Sequence, residues 1–336
     1  MKLYCFVFLM FIAGCSSQYH EHFFRENPEL SQSQAIVSWE VFHSDGRVES
    51  LPDTTTQSRL IDSIDSAKKR IWIEIYTWTE AAHLMDPIVR AKKRWVDIQV
   101  VIEGNVYGTP KINNPIVKKL KEEWVPVIYA DNNRYSFTHA KFWIIDDIYS
   151  ISTGNWTASF FTKNREYIYS GKDRWTLLFL EEIFLSDVKH LGYKNTLKIP
   201  SQIVISPLNA RERIEDLINS TQENIIFYVQ TLDDEHILWL IQFLYDQKKK
   251  VYICTADNET NRARVIQYPL WNWKLIKKPY LHAKVILVDY QNIFIGSHNL
   301  TTNAIENNRE IGIILRERND LYQKIERDFQ NDGCMK

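Results

Sequence analysis

The pattern His-x-Lys, four residues and then Asp occurs twice in this chain, at His139–Asp146 and at His282–Asp289. Each copy runs on into a turn of small residues, an Asn and an Asn-Arg-Glu. In the first copy these are Ser152-Thr153-Gly154-Asn155 and Asn164-Arg165-Glu166; in the second, Gly296-Ser297-His298-Asn299 and Asn308-Arg309-Glu310. The interval from His to the turn Asn is 16 residues in the first copy and 17 in the second, and from that Asn to Glu it is 11 in both. One His-x-Lys carries almost no information. Two copies with the same sequel mark an internal duplication, and a duplicated chain must fold as two similar halves.

The surrounding periodicity says what each half is. "QSRLIDSIDSAKKRIWIEIYTWT" reads as an amphipathic helix and then a strand rich in β-branched and aromatic residues. "DPIVRAKKRWVDIQVVIEGN" and "PIVKKLKEEWVPVIYAD" repeat helix then strand, and "HAKFWIID" is a strand carrying polar groups. In the second half "ARERIEDLINSTQENIIFYVQTLD", "EHILWLIQFLYDQKKKVYICTAD" and "HAKVILVD" follow the same order. Such alternation predicts an α/β fold, each half a mixed β-sheet flanked by helices. The expected halves are 35–195 and 196–332, joined near Asn195–Gln202, and packed around one shared active site. The apolar spacing in "LLFLEEIFLSDVKH" predicts a helix packed on the core.

On a strand, residues two apart share a face, so each His and Lys point together while the intervening Ala140 or Ala283 faces away. Asp146 and Asp289, five residues past their lysines, point opposite and are expected to orient or support the structure. If the duplicated faces meet, one cleft holds His139, His282, Lys141, Lys284, Asn155 and Asn299. A neutral imidazole can attack an electrophile while a protonated one delivers a proton to the leaving group. Two ammoniums and two amides would surround an anionic centre whose charge grows in the transition state. Glu166 and Glu310 are candidates to accept from the histidine Nδ1–H groups. The set suits a phosphodiester and requires no metal and no cofactor.

These residues resemble the signature of the phospholipase D superfamily, H-x-K-x4-D followed by G-S-x-N. His282, Lys284, Asp289, Gly296, Ser297 and Asn299 match it position by position; the first copy departs, with Thr153 offering a hydroxyl in a turn shortened by one residue. The resemblance covers about residues 35–332. It implies a phosphohistidine mechanism in which one His forms a covalent intermediate and the other protonates the leaving group, then activates water or an alcohol. By that analogy His139 is the nucleophile and His282 the acid/base, an assignment the near-symmetry leaves reversible.

The N-terminus adds a location. Lys2 precedes an apolar run from Leu3 to Ala13 that is too short for a bilayer span, and Ile12-Ala13-Gly14-Cys15 resembles the bacterial lipobox. The resemblance implies a signal peptide at 1–14, lipidation of Cys15 and an extracytoplasmic, membrane-anchored lipoprotein, with 15–34 as a polar tether. Past this region only Cys254 and Cys334 remain; a disulfide between them is one option, Cys254 as a free buried thiol the other. No Cys or His spacing has the form of a zinc site.

The expected substrate is a membrane phospholipid, cleaved or transferred in the manner of a phospholipase D or a cardiolipin synthase, by a monomer. An envelope or secreted nuclease is the alternative, with Arg134, Lys163, Arg165 and Arg309 as candidate contacts to a polynucleotide backbone. A formal charge of −1 gives the chain no global attraction to a polyanion. A non-catalytic phosphate-binding protein is the third reading, against which two intact motifs stand. His298, opposite Gly154, is expected either to touch a head group or to sit on the surface. Finally, Trp95, Trp124 and Trp273 each stand just before a strand, the first two where a glycine ordinarily ends a helix.

Overall fold

The computed structural model describes residues 46–193 and 197–335. The expected signal peptide, Cys15 and the tether lie outside the described residues, as do residues 35–45 of the expected first half. The first half runs β1 (Arg47–Leu51), α1 (Thr54–Ser66), β2 (Arg70–Ile75), α2 (Met85–Lys93), β3 (Asp97–Ile102), α3 (Asn114–Glu122), β4 (Val127–Tyr129), β5 (Lys141–Ile145), β6 (Ile148–Ser152), α4 (Ala158–Thr162), β7 (Asn164–Gly171) and α5 (Arg174–Val188). The second runs β8 (Ile203–Ser206), α6 (Ala210–Asn219), β9 (Asn224–Val229), α7 (Glu235–Asp246), β10 (Lys250–Ala256), α8 (Glu259–Gln267), β11 (Trp273–Ile276), β12 (Tyr280–Leu281), β13 (Lys284–Val288), β14 (Asn292–Gly296), α9 (Thr302–Glu306), β15 (Glu310–Leu315) and α10 (Asn319–Asn331).

Two sheets result, with the same order. One reads β1-β7-β6-β5-β2-β3-β4, the other β8-β15-β14-β13-β9-β10-β11. In each, three strands joined by helical crossovers are parallel (β2, β3, β4 and β9, β10, β11), and the rest are antiparallel. The motif strands β5 and β13 lie beside β2 and β9, at the boundary between the parallel and antiparallel strands of each sheet.

Alternation along β5 and β13 sorts side chains between two layers. Phe142, Ile144, Val285 and Leu287 join a large core to which both sheets, α5 and α10 contribute. Trp143 and Ile145 face the outer core of the first half, and Ile286 and Val288 that of the second. The helix read from "LLFLEEIFLSDVKH" is α5, whose Leu177, Leu180, Ile183 and Phe184 enter the shared core. No described helix is long and apolar enough to cross a membrane. Cys254 on β10 and Cys334 after α10 form a disulfide, closing the sequence separation of 80 residues.

The halves also exchange backbone. β12 leaves its own sheet and pairs in parallel with Asn164–Arg165 of β7, while Thr138 pairs with Arg309. Each motif strand is therefore led in by a residue or two clamped to the other half.

Trp95 and Trp124 adopt φ of 66° and 56°, the left-handed region that costs a bulky L-residue about 1 kcal/mol or more. Trp95 N donates to Lys92 O and Val96 N to Ala91 O; Trp124 and Val125 repeat the pair onto Lys121 and Leu120. These are the crossed bonds that end a helix around a left-handed residue. Neither indole gains packing in return, being 94% and 85% exposed. Trp273 differs: it is buried in β11 and donates from Nε1 to Thr255 Oγ1 at 2.9 Å. Trp95→Gly and Trp124→Gly are each expected to stabilise the fold by about 0.5–1 kcal/mol, less than the relieved strain because Gly loosens the unfolded chain. A rise in urea midpoint at unchanged slope would show it; a fall in either variant contradicts the strain argument.

Candidate active site

Both histidines sit just before a motif strand, and backbone bonds from the opposite half fix them there. His139 N donates to Arg309 O at 2.9 Å, and Arg309 N donates to Phe137 O at 2.8 Å. His282 N donates to Arg165 O at 3.1 Å. The register brings the glutamate of one Asn-Arg-Glu beside the histidine of the other half. Glu310 Oε1 and Oε2 lie 2.9 Å from His139 Nδ1, and Glu166 Oε1 lies 2.7 Å from His282 Nδ1. Both carboxylates are fully buried, whereas the two rings keep 13% and 12% of their side-chain surface exposed. With Nδ1–H donated to the carboxylate, Nε2 is the acceptor nitrogen of each neutral ring, and that of His282 lies 3.3 Å from Lys284 Nζ.

Electrostatics follow from this burial. It pushes Glu310 up, but His139 and Lys141 beside it prevail and hold the carboxyl at about 2. Glu166 is lowered in the same way by His282 and Lys284, against its own desolvation. Burial lowers His139 to about 4, with Glu310 pulling back and Lys141 adding to the depression. His282 is lowered too, by burial first, with Glu166 opposing. Lys284 is pushed down to about 8 by burial, and Lys141 is lowered well below the usual range for the same reason.

Both lysine side chains are fully buried. Lys141 Nζ donates to His139 O and lies 5.3 Å from the Tyr76 ring centroid, over its face. Lys284 Nζ donates to His282 O at 2.6 Å and, across the halves, to Thr153 O at 3.2 Å. Asn155 and Asn299 have buried Oδ1 atoms with no hydrogen-bond partner. The structure thus gathers His139, His282, Lys141, Lys284, Glu166 and Glu310 into one group around the two turns that carry Asn155 and Asn299. Among the described residues no group of three or more His, Cys, Asp or Glu is arranged to hold a metal ion.

Other candidates stand elsewhere. Asp146 accepts from the backbone N–H of Lys68, Lys69 and Arg70 at 3.0, 2.7 and 3.1 Å. Asp289 does the same for Gln222, Glu223 and Asn224 at 2.7, 2.8 and 2.9 Å. Each carboxylate ties the far end of its motif strand to the start of β2 or β9, away from the histidines. The Thr153 hydroxyl turns to Glu166 Oε2 at 2.6 Å and accepts from Tyr167 N at 2.9 Å, so it supports the carboxylate instead of facing a phosphate. Ser297 Oγ accepts from Ile311 N at 3.1 Å and donates to Ile311 O at 3.3 Å.

The arginines read as polynucleotide contacts need correction. Arg309 is fully buried, donates to Asp187 Oδ1 at 2.7 Å and lies 4.5 Å over the Tyr135 ring. Glu74, also fully buried beside this pair, is raised well above the carboxylate range by burial and by the Asp187 charge. Arg165 is engaged by both oxygens of Asp332 at 2.8 Å and donates to Leu51 O at 2.9 Å. Neither guanidinium is free for a backbone phosphate; Arg134 and Lys163 remain exposed. His298 is buried, not on the surface, with both ring nitrogens unpartnered, and packs 5.6 Å from Phe294. A Cβ on its counterpart Gly154 would lie 2.4 Å from Phe160. The second half accommodates the imidazole because Ala304 stands where the first has Phe160.

Sequence reasoning also missed Tyr76, whose ring meets His139 edge-on with centroids 4.6 Å apart, and the buried amides Asn113 and Asn261. Asn113 ties Trp78 N, Tyr76 O and Glu103 O together, and Asn261 ties Leu232 N, Gln230 O and Ala256 O. Their only sequence signal was an Asn in each half's first or second turn after a parallel strand.

With this geometry in place, comparison with known proteins is informative. The family described as "Cardiolipin synthase, PLD-like domain" matches residues 60–188 and 214–333, more than two thirds of the chain. Among solved structures, the fold is similar to phosphatidylserine synthase of Haemophilus influenzae Rd KW20, with TM-score 0.67 and 16% identity over 85% of each chain. It is also similar to polyphosphate kinase of Porphyromonas gingivalis, with TM-score 0.64 and 12% identity over 85% of this chain and 50% of that one. Nuc of Salmonella typhimurium, a phospholipase D family member, aligns at 24% identity over 42% of this chain and 92% of its own, with TM-score 0.39. No curated protein sequence matches the chain significantly.

Burial lowers both histidines, and that sets a pH profile. His139, at about 4, is neutral above that pH, and His282 is lowered too, with Glu166 opposing the shift. If the neutral ring attacks and the protonated ring donates, kcat/KM on a simple aryl phosphodiester should peak below pH 6.5 and decline on both sides. Glu166→Gln removes the group that holds the His282 proton, so the alkaline limb should move further toward acid and the peak should shrink. An optimum above pH 8, or an unmoved limb in Glu166→Gln, contradicts this division of roles.

Proposed function

This chain belongs to the family of cardiolipin synthase, phospholipase D-like domains, and from that premise we propose that it is a phosphodiester hydrolase or transferase working through a phosphohistidine, with membrane phospholipids as substrates. The observation that carries the reading is the reciprocal seating of His139 on Glu310 and of His282 on Glu166, with both lysines and both turn asparagines alongside. His139 Nε2 attacks phosphorus and a P–N bond forms as the P–O bond to the head-group alcohol breaks. The departing oxygen takes the His282 Nε2 proton. His282, now neutral, removes a proton from water or a second alcohol, whose oxygen displaces His139. Lys141, Lys284, Asn155 and Asn299 neutralise the non-bridging oxygens in both steps, and Glu166 and Glu310 hold the tautomers.

Phospholipid is favoured over polynucleotide for two reasons. Two of the four cations offered to a nucleic-acid backbone are internal struts, and the net charge is −1. Lipidation at Cys15 would hold the monomer at an extracytoplasmic membrane surface, beside such substrates. Offering the purified protein labelled phospholipids and oligonucleotides, with His139→Ala as blank, separates the two readings; cleavage of the oligonucleotides alone would overturn the lipid assignment.

The covalent step makes its own prediction. His139→Ala and His282→Ala should each lower kcat by about 10⁴-fold or more while remaining folded. Ethanol should compete with water and appear in the product, and a chiral phosphorothioate diester should react with retention, because two in-line displacements restore the configuration. Net inversion would rule out the phosphohistidine.

A further inference from the structure

A duplicated fold supplies its own control. Wherever equivalent positions of the two halves differ at the cleft, the difference is available to read the two unlike ends of a substrate. Two pairings define the equivalence: Tyr280 opposite Asn164, and Thr138 opposite Arg309. They place Phe137 in the position of Tyr280, Asn307 in that of Lys163, Tyr135 in that of Lys278 and Tyr76 in that of Gln230.

The first half's rim is aromatic. Tyr76 meets His139 at 4.6 Å, Phe137 meets Tyr76 at 6.2 Å, and Tyr107 meets Phe137 at 6.3 Å, each edge to face. Tyr107 is 82% exposed, so the run leads from the nucleophile to solvent. Tyr135 has turned inward over Arg309, and Asn307 is uncharged. No cation stands at these four positions.

The second half's rim is polar and basic. Gln230 Nε2 donates to Tyr280 Oη at 3.1 Å, and the Tyr280 ring stacks 6.4 Å from His282. Lys163 immediately precedes the β7 residue paired with Tyr280, and Lys278 precedes β12 in the bend before Pro279. Both lysines are exposed and neither makes an ion pair among the described residues. The adjacent Lys277 is different, being tied to Asp257 at 3.3 Å beside Arg262. Two exposed lysines therefore belong to the paired backbone segments, β7 and β12, that lead to His282.

We propose that Lys163 and Lys278, with Tyr280 and Gln230, form a head-group subsite for an alcohol that carries its own negative charge, such as a terminal phosphate. The diacylglyceryl side of the phosphodiester then lies along Tyr76, Phe137 and Tyr107. This orientation leaves the phosphatidyl group on His139 and sends the departing alcohol past His282, which protonates it. The subsite rests on the phospholipid reading for the identity of the apolar end, but not for its own recognition of charge.

The test keeps those two apart. Hydrolysis of bis(p-nitrophenyl) phosphate serves as readout, and glycerophosphoglycerol and the same diester bearing a terminal phosphate serve as soluble competitors. The phosphorylated competitor should bind about tenfold more tightly at low salt. In the double variant Lys163→Ser/Lys278→Ser that ratio should fall to within twofold of unity, and Lys277→Ser should keep it. An unchanged ratio in the double variant, or a ratio near one in the unaltered protein, overturns the subsite. The same comparison is then made on vesicles of phosphatidylglycerol with and without phosphatidylglycerol phosphate. A charge preference present on vesicles and absent for the soluble pair assigns the lysines to general attraction by an anionic surface and also overturns it. Failure to cleave either vesicle, with the soluble ratio behaving as expected, removes the phospholipid reading and leaves the subsite standing.

Discussion

Everything in this molecule that bears on chemistry depends on two carboxylate–imidazole contacts that cross from one half to the other. Glu310 belongs to the second half and holds His139 of the first; Glu166 belongs to the first and holds His282 of the second. Neither half completes the setting of its own histidine. A buried carboxylate beside a buried imidazole stands only because each offsets the other's desolvation, and separating the halves would leave both unpartnered in an apolar face. The site and the interface are one structure.

Behind that pair of contacts lies a second layer with the same crossing. Arg309 presents its backbone to Phe137 and His139 and sends its guanidinium to Asp187 at the end of α5. Arg165 presents its carbonyl to His282 and sends its guanidinium to Asp332, just past α10. The disulfide anchors that same segment two residues on, at Cys334. In Asn-Arg-Glu the alternation of a strand thus puts Glu toward the catalytic face and Arg toward a strut in the other half. A rotation of either half about the interface would have to break a buried ion pair before it could move a histidine.

Much of this was legible in the sequence and some could not be. The duplication and the α/β order follow from local periods, and local periods are what a sequence displays. That Asp146 and Asp289 would each collect three backbone N–H groups from a turn more than 60 residues away is not in any local pattern. Nor is the crossing of the glutamates, which requires knowing that β12 leaves its sheet for β7. Arg165 and Arg309 were misread because an arginine near a phosphate motif looks the same in sequence whether it faces solvent or an aspartate. Thr153 was expected to support the site, and its hydroxyl does so by donating to Glu166, 13 residues off in sequence and 2.6 Å away in space. His298 was misjudged because the room for it is made by Ala304, a small residue whose meaning appears only against Phe160.

Duplication gives two histidines in like settings, yet a two-step transfer needs them in unlike protonation states at the same moment. Symmetry has to be broken close to the rings, and the structure shows where. His139 is packed against Tyr76, whereas Gln230 stands in the equivalent place by His282 and spends its amide on Tyr280. Burial lowers His139 to about 4, with Glu310 opposing the shift and Lys141 adding to it. His298, fully buried, adds another unprotonated imidazole close enough to feel the charges of Glu310 and Lys141, with no counterpart at Gly154. The apolar rim is therefore beside His139 and the polar one beside His282. In the proposed reaction, attack by His139 would leave the covalent adduct beside the aromatic rim and send the alcohol out past the polar one. On that reading the difference in polarity between the two rims is what would orient the substrate.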